Sequence, residues 1–252
     1  MDILRYLTIS VDDGHPMDLR TGTLLQRFGL KATFYIPKTN PERAIMNPND
    51  VRDIARHFDV GAHSISHVSL RSLDNASAFG EIENGKKWLE DLTGERVSAF
   101  CYPEGKFDGR LQGMVKKAGF KGARTCMFNL HRFPKNPFLW GLSTHACSHS
   151  VQIQFRHALV EKNFEGAVNF IRNYKCATDW VEHFRAAIKH VGEKGGIAHL
   201  YLHSWEIEEQ AQWDRLAELF GEVAQRKDFV KVTNGELFDL WSERAMGNAS
   251  DK

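Results

Sequence analysis

Two adjacent carboxylates, Asp12 and Asp13, and three imidazoles, His63, His67 and His203, are the residues whose types and spacing could do chemistry. Asp12-Asp13-Gly14 closes one apolar run, His63-Ser-Ile-Ser-His67 follows another, and His203-Ser204-Trp205 follows a late third. A catalytic zinc site takes three protein ligands, often histidine with a carboxylate, and keeps one position for water. Asp13, His63 and His67 would supply that set. Asp12 and His203 would then be free to move protons, which completes the parts needed to hydrolyse an amide. Singly, each motif has a plainer reading, since HxxxH recurs on solvated helix faces and Asp-Asp-Gly often makes a turn. The plain reading is weaker for His63–His67, because Val60, Gly61 and Ile65 disfavour a helix there. Trp205 offers a flat apolar ring to a ligand, and His15, two residues past Asp13, could reach a substrate.

These residues need a scaffold that brings strand ends together. Apolar runs at Tyr6–Val11, Lys31–Ile36, Asp59–Ala62, Val97–Cys101, Lys121–Thr125, Ile197–Leu202 and Val230–Thr233 read as strands. Helical patterns fall at Asp18–Phe28, Asn49–His57, Ser77–Leu92, Asp108–Ala118, Val151–Asn173, Asp179–Val191, Glu208–Arg226 and Gly235–Trp241. Strands alternating with helices pair in parallel, so the expected fold class is α/β, a distorted (β/α) barrel of about seven parallel strands with outer helices. In such folds ligands gather at the carboxyl ends of the strands. The segment 128–150 reads as an irregular excursion, residues 1–242 as a single catalytic domain, and 243–252 as a disordered tail.

The motifs resemble those of the polysaccharide deacetylase family, also called the NodB homology domain or carbohydrate esterase family 4. Val11-Asp12-Asp13-Gly14 resembles its (T/S)(F/V)DDG turn, and His63–His67 its H(S/T)xxH metal motif. Phe100-Cys101-Tyr102-Pro103-Glu104-Gly105 is similar to the RxPYG segment, Asp179-Trp180 to the fourth motif, and Leu202-His203-Ser204-Trp205 to the LHxx motif. The resemblance implies a divalent metal on Asp13, His63 and His67, with zinc leading and cobalt, nickel or manganese as alternatives. It implies Asp12 as general base, His203 as general acid, and Asp179 as the carboxylate that orients His203. Tyr102, Pro103 and Glu104 would line the substrate, with the metal and the backbone N–H at the Tyr102–Glu104 turn holding the developing oxyanion. Two departures stand out: Cys101 occupies the place where the family commonly has Arg, and Glu104 the place where it commonly has Tyr. The first removes an expected partner of Asp12.

Lys and Arg total 33 against 32 Asp and Glu, a formal net charge of +1, which argues against nucleic-acid or anionic-membrane binding. Cys101, Cys126, Cys147 and Cys176 are scattered singly, as in a reducing compartment. Without a leader-like start or a long apolar window, the expectation is a cytoplasmic protein with no stable membrane insertion. The activity expected is removal of an N-acyl group, N-acetyl first, from a small or lipid-linked sugar in glycoconjugate precursor synthesis. The altered third motif keeps two alternatives open: hydrolysis of a non-sugar linear or cyclic amide, and a non-catalytic carbohydrate-binding relative.

Overall fold

The computed structural model describes residues 4–250, with side chains described to 244. In chain order the elements are β1 (Arg5–Asp12), α1 (Asp18–Arg27), β2 (Thr33–Ile36), α2 (Pro48–Ala55), β3 (Asp59–Ala62), α3 (Asn75–Thr93), β4 (Ala99–Cys101), α4 (Gly109–Lys117) and β5 (Gly122–Arg124). The second half contains β6 (Thr144–His145), α5 (Val151–Val160), α6 (Phe164–Arg172), α7 (Trp180–Lys194), β7 (Gly196–Leu202), α8 (Ser204–Glu209), α9 (Trp213–Gln225), β8 (Val230–Lys231) and α10 (Asn234–Ser250).

Seven strands pair in the order β5-β4-β3-β2-β1-β7-β6, and β8 adds to β1. Every pairing is parallel, giving the half-closed barrel with outer helices expected from the alternation. β1 shows why the barrel has two unlike faces. Leu7, Ile9 and Val11 join the main apolar core, whereas the alternating Thr8, Ser10 and Asp12 are buried polar groups. Thr8 donates to Asn234 Oδ1 at 2.9 Å, and Ser10 Oγ lies 2.9 Å from His199 Nε2. The same alternation brings Asp12 into the barrel interior at the strand's carboxyl end.

Several boundaries differ from the sequence reading for local reasons. The stretch 151–173 is two helices, because Lys162 takes a left-handed φ of 52° and Asn163 caps α6 by accepting from Gly166 N at 2.9 Å. The span 208–226 also divides, with α8 starting earlier, at Ser204, and Ala211 at φ 51° turning the chain into α9. The excursion 128–150 contributes β6, which pairs with β7. α10 runs through Ser250, into the segment expected to be a tail, while residues 251 and 252 lie outside the described ones.

Candidate active site

Three strand ends deliver the site. After β1 the chain turns sharply, with Asp13 at φ 80° and Gly14 at φ 63°. A Cβ on Gly14 would stand 2.8 Å from Ile36 Cγ2, so the turn needs glycine for space as well as conformation. His63 follows β3, and the loop carrying it to His67 is braced by α3. Glu81 accepts from Ser66 N at 3.0 Å and from Ser66 Oγ at 2.7 Å, and Gly85 lets the helix backbone approach, since a Cβ there would meet Ser64 C at 2.7 Å. β7 ends at Leu202, and α8 begins directly after His203, bringing Glu206 back toward the imidazole.

Asp13, His63 and His67 each point one ligand atom at a common region, all within 4.8 Å of one another. His63 Nδ1 donates to the Cys101 carbonyl at 2.9 Å, which leaves the Nε2 lone pair facing Asp13 Oδ1 at 3.7 Å. Asp13 Oδ1 lies 3.1 Å from His67 Nε2 yet is buried without a hydrogen-bond partner. Converging lone pairs around an orphaned carboxylate oxygen are the chemistry of a cation site, and these residues fit a divalent metal. Burial alone would raise the Asp13 pKa, but the contact with His67 and the charges of His203 and His63 hold it well below the carboxylate range. Burial likewise keeps His63 neutral, its pKa lowered to about 4.

The partner that Cys101 cannot provide comes from a neighbouring strand. Arg124, at the end of β5, reaches across the interior to Asp12 Oδ2, and the pair is almost wholly shielded from solvent. The small Cys101 side chain leaves room for this guanidinium, whose Nη2 also lies 2.8 Å from Cys101 Sγ. Burial opposes the Arg124 charge, but the Asp12 carboxylate beside it keeps the guanidinium protonated. With Oδ2 so engaged, Asp12 Oδ1 is buried, unpartnered and available to take a proton.

His203 is not oriented by Asp179. That residue caps α7, accepting from Val181 N and Glu182 N at 3.1 Å each, and its carboxylate is held by Arg215 at 2.7 and 2.8 Å. An Asp directly before an apolar helical run is an N-cap by preference, and that local role is the one the structure gives it. Glu206 takes the place expected of Asp179, accepting from His203 Nδ1 at 2.7 Å and from His145 Nε2 at 2.7 Å. Burial would lower the His203 pKa, but the Glu206 bond and the Asp13 charge raise it instead. Arg124, Glu206 and His145 were all missed from sequence. Arg124 does follow an apolar run, and Glu206 stands one helical turn beyond His203, so both carried a positional signal.

A cavity of about 290 Å³ joins Asp12, Asp13, His63, His67, Tyr102, Glu104, His203 and Trp205. Tyr102 N–H donates to Arg124 O at 3.2 Å and Pro103 has no N–H. Glu104, at a left-handed φ of 58°, is therefore the residue of that turn whose N–H has no acceptor among the described residues. The Glu104 side chain pairs with Lys106, which cancels its charge at the mouth. Trp205 lines the cavity but does not offer the sugar platform expected. His203 stacks on its ring at 5.1 Å, the Arg43 guanidinium lies over it at 3.6 Å, and the indole N–H donates to Asp13 Oδ2 at 2.9 Å. His15 is outside the cavity lining, its Nδ1 accepting from Met17 N at 3.2 Å, and Pro103 is buried in the turn.

Residues 4–123 match the family described as polysaccharide deacetylase. A Bacillus subtilis (strain 168) protein, YxkH, assigned by name to the polysaccharide deacetylases, is 23% identical over 146 residues, 53% of this chain and 52% of that protein. The chain thus aligns with about half the length of that curated relative. Among solved structures, a Mycobacterium smegmatis protein named for polysaccharide deacetylase superposes with a TM-score of 0.67 at 15% identity, covering 96% of this chain and 92% of the other. The chitin deacetylase of Colletotrichum lindemuthianum superposes at 0.59 with 17% identity, covering 94% and 89%. These two likenesses establish the shared fold. Together with the motifs, the family match over residues 4–123 bears out the resemblance to the polysaccharide deacetylase family.

Proposed function

We propose that this protein is a metal-dependent hydrolase that removes an N-acyl group, N-acetyl first, from a sugar. The reading rests on one juxtaposition: a cation-type donor set, Asp13, His63 and His67, shares a single cavity with the carboxylate Asp12 and the imidazole His203. A divalent metal bound there, zinc foremost, supplies Lewis-acid polarisation of the amide carbonyl and lowers the pKa of a bound water.

The chain's own groups carry the rest. Asp12 Oδ1 accepts the proton of the attacking water, while Arg124 fixes the carboxylate through Oδ2. The Glu104 N–H is the chain's donor toward the developing oxyanion, an interaction that strengthens as charge builds on oxygen. Protonated His203 delivers its proton to the departing amine, and Glu206 holds the ring through Nδ1 so that Nε2 faces the cavity. His203 Nε2 lies 3.7 Å from Asp13 Oδ2 and 3.0 Å from the Tyr201 hydroxyl, alongside the donor set.

The two alternative readings drew their motive from the altered third motif. Arg124 restores the cationic partner of Asp12, and Lys106 neutralises Glu104, so neither change argues against sugar deacetylation. The substrate suggested is a small or lipid-linked N-acylated sugar of glycoconjugate synthesis, met in the cytoplasm. No helix of the described residues is long and apolar enough to cross a membrane.

The test is metal analysis joined to acetate release from N-acetylated sugars. His63→Ala is expected to lose the metal and the activity together. Full activity in His63→Ala without a bound divalent ion would overturn the mechanism. Turnover confined to ureides or imides would replace the sugar with a non-sugar amide.

A further inference from the structure

The helical hairpin beside the cavity has the wrong surface for a helix pair facing water. Seven of the nine most exposed large apolar residues among those described lie on α5, α6 and the turn between them. Leu159 (70% exposed), Val160 (73%) and Phe164 (69%) crown the turn, with Ile153, Val168 and Ile171 behind them. Both helices also bury an opposite face, Gln154 and Ala158 on α5, Gly166 and Phe170 on α6. They are therefore apolar on the side a surface helix keeps polar.

The charges around this patch have one sign. Arg156, Lys162, Arg172 and Lys175 are exposed on and just after the hairpin. Its two acids are already engaged: Glu161 turns into the cavity beside His157, and Glu165 is held by Arg132. The near-zero charge of the whole chain conceals this local cluster. A second copy packed face to face would set the same four cations against one another, because a two-fold interface repeats each patch. An anionic lipid surface complements both features, taking the apolar crown into the acyl boundary and the cations to its phosphates.

We infer that the α5–α6 hairpin seats this protein reversibly on an anionic lipid surface. The cavity then opens next to the headgroups, because His157 and Glu161 line it from the same hairpin. The seating rests on the hairpin alone. Its purpose, presenting the acylated sugar of a lipid-linked intermediate to the cavity, rests on the function proposed above.

Flotation of the full chain with phosphatidylcholine vesicles, with and without phosphatidylglycerol, tests the inference. Binding is expected to the anionic vesicles and to weaken as salt is raised. Leu159→Glu with Phe164→Glu should lower it by roughly tenfold or more, and Arg156→Gln with Lys162→Gln by a similar factor on anionic vesicles only. Both double variants should still deacetylate a water-soluble N-acetylated sugar. Failure of the wild-type chain to float with anionic vesicles at low salt would overturn the inference. So would a dimer that Leu159→Glu with Phe164→Glu dissociates, coupled with no vesicle binding, which would make the patch a self-interface. Vesicle binding by a chain that deacetylates no sugar would uphold the lipid surface and sink the function proposed above instead.

Discussion

Arg124 and Asp12 are shut away from water, their side chains 0% and 3% exposed. Removing one member strands the other as an unpaired buried charge, so Arg124→Met is expected to cost about 3–5 kcal/mol. In a chain of this size that is a fall of roughly 10 °C in thermal midpoint, read by calorimetry. Asp12→Asn leaves the buried Arg124 unpaired at a similar cost and, in addition, should lower turnover per folded molecule by ~10²–10⁴-fold, because it removes the proton acceptor itself. The pair of effects separates holding the base from being the base. Glu206 makes a prediction of opposite kind, in pH. Burial would lower the His203 pKa, and Glu206 and Asp13 raise it above the ordinary imidazole value. The acid form is present below that raised pKa and is lost as pH climbs through it. Glu206→Gln removes a negative charge, so the alkaline limb of the rate profile should move to lower pH. An unmoved limb would show that Glu206 does not act on His203.

At the scale of elements, α3 serves the site although no sequence motif lies on it, and α7 does different work from that suggested by its motif. α3 sets the ligand loop, through Glu81 on Ser66 and the bare approach of Gly85 to Ser64. Gly85→Ala would raise intrinsic helix propensity yet push the helix off the loop, so metal affinity is expected to fall although helicity does not, measurable by titration with zinc. α7 is fixed by Asp179 as a cap joined to Arg215. Asp179→Ala should cost about 1 kcal/mol of stability, as loss of a cap does, with turnover per folded molecule unchanged. A large loss of turnover at unchanged stability would return Asp179 to the site.

Across the whole molecule, a ligand bound by residues from β1 and the β3–α3 loop, Asp13, His63 and His67, ties distant parts of the chain together. Metal that binds only the folded state stabilises it by about 2.7 kcal/mol at a hundred times its dissociation constant. Chelation is therefore expected to lower the thermal midpoint by roughly 5–10 °C. His63→Ala should abolish that difference between metal-loaded and chelated protein.

Asp12, Asp13, His63, His67 and His203 were legible from sequence because they lie at or within a few residues of the ends of apolar runs, and parallel strands with helical crossovers put such residues at one end of a barrel. The alternation of periods likewise specified the sheet, while helix breaks at Lys162 and Ala211 escaped it because they depend on single left-handed residues. What only the tertiary structure decided is which side chains meet across strands far apart in sequence. Arg124 faces Asp12 from 112 residues away, and the small Cys101 yields it the space. Asp179, near His203 by motif order, is turned away by its own helix, whereas Glu206 is carried in by α8. Trp205 reads as an open flat ring in the sequence, whereas the fold sets His203 and the Arg43 guanidinium against it. Strand ends are fixed by local pattern, but the partner of a buried charge is chosen by packing.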